Sequence, residues 1–385
     1  MSVWAWQGWV GIFGGALVFI ATLVPILLLQ IRQFGRVSLR RVLGAAAVSV
    51  YAVALAAYTL LPLPAQQRVC SPGGTPIELT PGHSLSDIAR ETSGLTFIEA
   101  LTSFAVLQVV MNVILFVPLG AIARRYWNRG IVTSIIIGAL LSVLIEATQY
   151  TAVWGIYNCA YRLADVDDVI ANTAGAAIGA LIAPLLLFWM PSAGTLRARR
   201  DAPRPVTSVR RWLGMLLDAV LVQICLGVIS LVIAALGKIT GDAIADGWAA
   251  MARGLITLAL VVLLPASIGS GASVGQRFLW LEPSWPNHKA STLRRWTRAS
   301  VIGIPYVLFE SLRTLPDGAL QSISFAWGII SLITFFTVLA AVISVPLTSE
   351  RRGLSYLISH ANIVDARSTS GASSTRRAAS PPRVD

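Results

Sequence analysis

The chain has 385 residues, of which 55% are apolar and 12% charged, with a mean hydropathy of +0.71. Soluble domains carry about a quarter charged residues, so this composition excludes an ordinary water-solvated globular protein and makes lipid the main solvent. The net charge of +12 sits in short basic clusters beside apolar stretches, which is the pattern of anchors to anionic headgroups and not of a nucleic-acid surface.

Nine stretches approach the roughly 20 residues that a helix needs to cross the hydrocarbon core. In chain order they are Gly8–Gln30, Val42–Leu63, Leu101–Ala121, Ile131–Tyr150, Asp168–Met190, Trp212–Leu236, Met251–Ile268, Ala299–Leu315 and Gln321–Pro346. The first is too long for a signal-peptide core and has no basic segment before it, so it reads as an anchor. The eighth is short and carries Glu310 and Arg313, which leaves a re-entrant or interfacial segment as its alternative. The predicted fold class is all-α, a polytopic transmembrane helical bundle of about nine spans in two modules.

Charge predicts the orientation. Alternate loops over 31–41, 122–130, 191–211, 270–298 and 347–385 hold 24 of the 30 Lys and Arg residues, which puts the N-terminus outside and the C-terminus in the cytoplasm. The expected organisation is an N-terminal anchor and basic loop (1–44), a first membrane domain (45–190), a basic, proline-broken cytoplasmic linker (191–207), a second membrane domain (208–346) and a cytoplasmic tail (347–385). From about Arg367 that tail is Ser/Thr-rich with too little apolar content to fold, so it is expected to be largely disordered. The longest exterior loop, Pro64–Ala100, is expected to hold a short surface helix over Ser84–Glu99. Of the three cysteines, Cys70 and Cys159 fall in exterior loops and form a disulfide candidate, with two unpaired thiols as the alternative, while Cys225 lies within the sixth span.

Polar residues inside lipid are costly, so those in spans three to five mark the bundle interior or a functional site. Asn112 lies near the middle of span three, and Glu146 and Gln149 share a face at the end of span four. Asp168, Asn172, Gly175 and Gly179 follow helical spacing, which lines one face of span five with polar groups followed by small residues that admit a neighbouring backbone. Span five is therefore expected to pack tightly on span three or four. Glu146, Gln149, Arg162, Asp165, Asp168 and Asn172, with Asn112 beneath, form a predicted exterior-facing cluster and are the ligand-binding candidates. The alternative is purely structural, with Asp165, Asp167 and Asp168 capping span five and Arg162 neutralising them.

These residues resemble the VanZ-like family in order and spacing: Asn112-x-x-x-Phe116-x-Pro118-x-Gly120, Glu146-x-x-Gln149, Arg162-x-x-Asp165-x-x-Asp168 and Asn172-x-x-Gly175-x-x-x-Gly179. The resemblance covers about residues 45–190, including Tyr58-Thr59-Leu60-Leu61-Pro62. The stretch from Gln149 to Arg162 departs from it, being longer than the family's usual loop. The resemblance implies a role at the bacterial cell envelope, since the family takes its name from a protein associated with resistance to the glycopeptide teicoplanin. A lipid-linked or cell-wall molecule is the implied ligand.

In the second half, Arg211 begins the sixth span and Asp218 follows two helical turns later on the same face. This looks like the RDD family over about residues 208–345, with Gly271–Leu279 and Leu293–Arg298 similar to its cytoplasmic hairpin; a second aspartate is not matched. Arg211 and Asp218 are ion or proton candidates, and a fixed pairing of the two, or snorkelling to headgroups, is the plainer reading. Gln276–Arg298, with Trp280, Trp285 and Trp296, reads as an interfacial segment.

No P-loop, GxGxxG, CxxC or HExxH occurs, and the three histidines are scattered, so no cofactor and no metal is implied. The sequence reading is an envelope membrane protein whose partner is the bilayer, with no nucleic acid, located in the bacterial inner membrane. A proton- or cation-coupled transporter using Glu146, Asp168 and Asp218, and a scaffold without ligand or catalysis, are its rivals.

Overall fold

The computed structural model describes residues 3–63, 77–158, 160, 162–240, 246–285, 290–315 and 317–368. Cys70 and Cys159 lie outside the described residues, as does the tail beyond residue 368. The chain divides into two compact units, Met1–Arg200 and Asp201–Asp385. Eight described helices are long and apolar enough to cross a membrane by length and composition, which makes the protein an all-α polytopic bundle.

In the first unit, α1 (Val3–Phe34) and α2 (Leu39–Leu60) form an antiparallel pair. Their backbones meet at small residues: a Cβ on Gly11 would stand 2.7 Å from Ala54 Cβ, and one on Gly15 2.3 Å from Val50 Cα. Outward-facing Phe13, Leu17 and Ile20 are exposed, as side chains that meet acyl chains should be. After a short helix, α3 (His83–Glu91), come α4 (Phe104–Ala121), α5 (Ile131–Tyr150) and α6 (Val166–Leu186). Surface helix thus occupies part of the Ser84–Glu99 stretch, and the Glu91 carboxylate accepts the N–H groups of Phe104 and Ala105 at the start of α4. Leu55, Phe116, Leu119 and Ile145 form the apolar core between α2, α4 and α5.

At the end of the bundle where α2 starts and α4 finishes, Arg41 is buried. It donates to the carbonyls of Tyr126 (2.7 Å) and Pro191 (3.3 Å) and stacks on the Phe34 and Tyr126 rings. Neighbouring Arg40 donates to Trp189 O at 3.2 Å. The acidic and amide residues lie at the opposite end, where α2 and α5 finish and α6 begins.

The second unit contains α7 (Ser208–Thr240), then α8 (Asp246–Thr257), which runs on through a π-helical turn to Ser267. The short helix α9 (Val274–Phe278) follows, then α10 (Thr292–Leu312), α11 (Ser324–Leu347) and α12 (Leu354–Ile358). Helix α10 contains most of the expected eighth span. Its 21 residues suffice for a core about 30 Å thick, but Arg294, Arg295, Arg298 and Glu310 keep it outside the eight that qualify by composition.

Part of the stretch expected as tail is folded. Strand β4 (Asn362–Asp365) pairs antiparallel with β3 (Leu281–Ser284), and α12 precedes it. The segment is held by Tyr356 and Ile363, both buried, and by Asp365, whose apolar and ionic anchoring lies upstream of the Ser/Thr-rich run. Trp285 likewise is buried, and its indole N–H donates to Ser359 O at 3.2 Å, so its polar edge is satisfied by protein.

Candidate functional site

Helix α6 is the organising element of the first unit. A Cβ on Gly175 would lie 2.1 Å from Val113 O, one on Gly179 1.9 Å from Val117 O, and one on Gly120 1.9 Å from Ala176 O. Helices α4 and α6 therefore touch backbone to backbone in parallel, a contact that only glycine permits. On its other flank α6 meets α5 antiparallel. Gly138 faces Ala176, Ser142 Oγ accepts from Asn172 Nδ2 (2.9 Å), and Glu146 Oε2 accepts the Asp165 N–H (3.1 Å). Steps of four along α5 meet residues progressively earlier along α6, ending at its cap Asp165.

This register brings the polar candidates together. Asn112 Nδ2 donates to Asp168 Oδ1 at 2.5 Å, so Asn112 joins the cluster directly. Gln149 Nε2 donates to Thr59 O (2.7 Å), while Leu61 O accepts from Arg162 (3.1 Å) and from Gln7 (2.6 Å). These carbonyls belong to the finish of α2, where helix geometry leaves the last acceptors without partners. Gln149 and Arg162 are thus occupied in closing a helix end, and Gln7 brings α1 to the same place.

The three aspartates divide the capping work differently from the structural alternative. Asp165 caps α6, its carboxylate accepting the Asp167 N–H at 2.9 Å. Asp167 instead accepts the N–H groups of Gly82 (2.8 Å) and Ser84 (2.7 Å) at the start of α3. Asp168 turns inward to Asn112. Strand β1 (Ile77–Glu78) pairs parallel with β2 (Ala164–Asp165) and completes this rim. Burial pushes the Asp165 carboxyl above its ordinary range, offset in part by the Asp167 N–H.

Glu146 and Asn172 are buried and Asp168 is half-buried. Among the described residues no ion pair includes Glu146 or Asp168 and Asn172 Oδ1 finds no hydrogen-bond partner. Two carboxylates and a free amide oxygen on membrane helices make a site with spare acceptors, suited to hydroxyl, amide or ammonium donors. Ser142 was not legible as a member: a serine in an apolar helix more often bonds back to its own helix, and only the α5–α6 register turns it toward Asn172. Among the described residues no group of three His, Cys, Asp or Glu could hold a metal ion.

In the second unit no ion pair between Arg211 and Asp218, one of the plainer alternatives, is present among the described residues. Asp218 accepts from Ser273 Oγ (2.6 Å) and from the Gly275 N–H (2.8 Å) at the start of α9. Gly275 sits so close to α7 that a Cβ there would be 2.2 Å from Gly214 O, and this approach delivers its N–H to the carboxylate. Arg211 stands over the Tyr356 ring at 4.4 Å and donates to Arg352 O at 2.8 Å. The residue with the strongest ionic partner is its neighbour: Arg210 meets Asp365 at 3.0 Å with both side chains buried, and donates to Leu279 O at 2.7 Å.

Fold and site define a multi-pass α-helical membrane protein with a polar, acidic cluster at one end of its first bundle. Residues 48–188 match the model of the VanZ/LLP1 family, so the chain carries a VanZ-like domain that contains every member of that cluster taken from spans three to five. No curated protein and no solved structure is matched by the chain.

Proposed function

We propose that this is a bacterial inner-membrane protein of the cell envelope whose VanZ-like domain binds the polar part of a lipid-linked or cell-wall molecule. Glu146 and Asp168 are its acceptors, Asp168 oriented by Asn112 and Glu146 by the Asp165 N–H. The single observation that carries this reading is that Glu146 and Asp168, both on membrane helices, are held by the Asp165 N–H and by Asn112, with no ion pair among the described residues including either. In lipid such groups are normally paired or engaged with a ligand. The basic-loop asymmetry supports nine crossings with this cluster on the exterior side, the N-terminus outside and the C-terminus in the cytoplasm. The second unit is RDD-like in this reading, supported by Arg211 at the start of α7 and by Asp218 two turns on, both turned inward.

Glu146→Gln and Asp168→Asn keep shape while removing charge. Each is expected to alter susceptibility to the glycopeptide teicoplanin in cells that hold the variant in the membrane at the normal level. Unchanged susceptibility with both variants would overturn the ligand reading in favour of a scaffold. Proteoliposome cation flux that disappears with Asp218→Asn would replace it with coupled transport.

A further inference from the structure

The second unit holds a partly open cavity of about 200 Å³ between α7, α8, α10 and α11. Most of its wall is apolar, with Ala219, Val222, Ile302, Val338 and Val342. One end is polar and carries two guanidinium groups, those of Arg211 and Arg298, which are only 2% and 4% exposed. Both stack on the fully buried Tyr356 ring, at 4.4 and 5.2 Å.

The charges at this end do not balance. The Arg298 partners are Gln276 Oε1 (3.3 Å), the Tyr356 hydroxyl and Gly271 O, and the Arg211 partner is Arg352 O. All are neutral. No ion pair among the described residues includes either arginine, and the Nε atom of each lacks a hydrogen-bond partner. Asp218, the one acid lining the cavity, spends its oxygens on Ser273 and Gly275 and offsets one positive charge at most. A buried charge without a counter-charge is costly enough that proteins supply one or bind one.

We propose that this cavity binds an anionic amphiphile. Its negatively charged head, a phosphate or carboxylate, lies against Arg211 and Arg298, and its apolar chain lies along the wall between the helices. Guanidinium groups suit such heads because their fork of donors matches the oxygen spacing. A bare anion would satisfy the charged end and leave the apolar remainder unfilled, which is why the ligand carries a chain. This inference is independent of the reading of the VanZ-like domain.

The test is native mass spectrometry of the full-length protein in detergent, titrated with phosphatidylglycerol, with phosphatidylcholine of the same chains, or with inorganic phosphate. The expected result is one phosphatidylglycerol retained per chain and neither of the others. Arg298→Gln and Ala219→Phe should each weaken retention at least about tenfold. If Arg298→Gln does not give monodisperse protein, the cavity-filling Ala219→Phe and Val342→Phe, which leave both guanidiniums in place, carry the test. Equal retention of phosphatidylcholine, inorganic phosphate bound as tightly as the lipid, or undiminished retention by the filled variants would overturn the assignment.

Discussion

Gly175→Val is expected to abolish monodisperse, folded protein, or to lower its thermal midpoint so far that the first unit melts before the second. The new Cβ alone would stand 2.1 Å from Val113 O, on a backbone that also meets α6 at Gly179 and Gly120. Ordinary overpacking costs about 1–3 kcal/mol because side chains can shift. Here the obstacle is a helical carbonyl, so the two helices must separate, and the cost should lie at or beyond the upper end of that range. Separation would also pull Asp168 away from Asn112. Gly227→Ala on α7 is the control, since nothing lies within 4 Å of the added carbon; it should leave the midpoint unchanged or raise it through about 1 kcal/mol of helix propensity. Thermal unfolding in detergent, followed by size-exclusion chromatography, measures both. A Gly175→Val protein with normal stability would mean that α4 and α6 are not in backbone contact.

Asp365→Ala should cost the second unit about 3–5 kcal/mol, because removing one partner strands a buried charge on the other. Asp365 pairs with Arg210 at 3.0 Å and with Arg367 at 2.5 Å, all with side chains at most 8% exposed. Joint replacement by Arg210→Met and Asp365→Leu should recover only part of the loss, since it removes two of the three charges and leaves Arg367 without its carboxylate. Burial pushes the Asp365 carboxyl up, but the hydrogen bonds from Arg367 and the charges of Arg210 and Arg367 outweigh it and hold it below the ordinary carboxylate range. A carboxylate depressed in the folded state stabilises above its unfolded pKa and loses that contribution as pH falls through the folded value. The wild-type midpoint should therefore drop below about pH 4, and Asp365→Ala should flatten this contribution. Tryptophan fluorescence is a suitable reporter because Arg367 stacks on Trp280 at 4.4 Å. Equal acid sensitivity in wild type and variant would remove Asp365 from the account.

The composition and span pattern made the membrane bundle legible, because a helix must satisfy its backbone internally wherever water is absent. Ile131–Tyr150 was bounded to the residue, since Gly130 and the polar Thr151 flank a predominantly apolar run. Helices α1 and α7 run several residues past their expected ends, because helix continues through charged residues once neighbours hold it. The spacing of Asp168, Asn172, Gly175 and Gly179 foretold both the tight packing of α6 and its polar face. It could not say that Gly175 and Gly179 face α4 while Asn172 faces α5, since one helix shows its face and not its neighbours.

What the sequence by itself determined is therefore the solvent, the helices and the residue types available for chemistry, all of which follow from local hydropathy and helical period. Tertiary structure alone decided the partners. Asp167 serves α3 instead of α6, Asp218 meets Ser273 in place of Arg211, and Arg210 finds Asp365 from 155 residues away. Such pairings depend on which helix ends the packing brings within about 3 Å of one another, and nothing in the spacing along one helix records that distance.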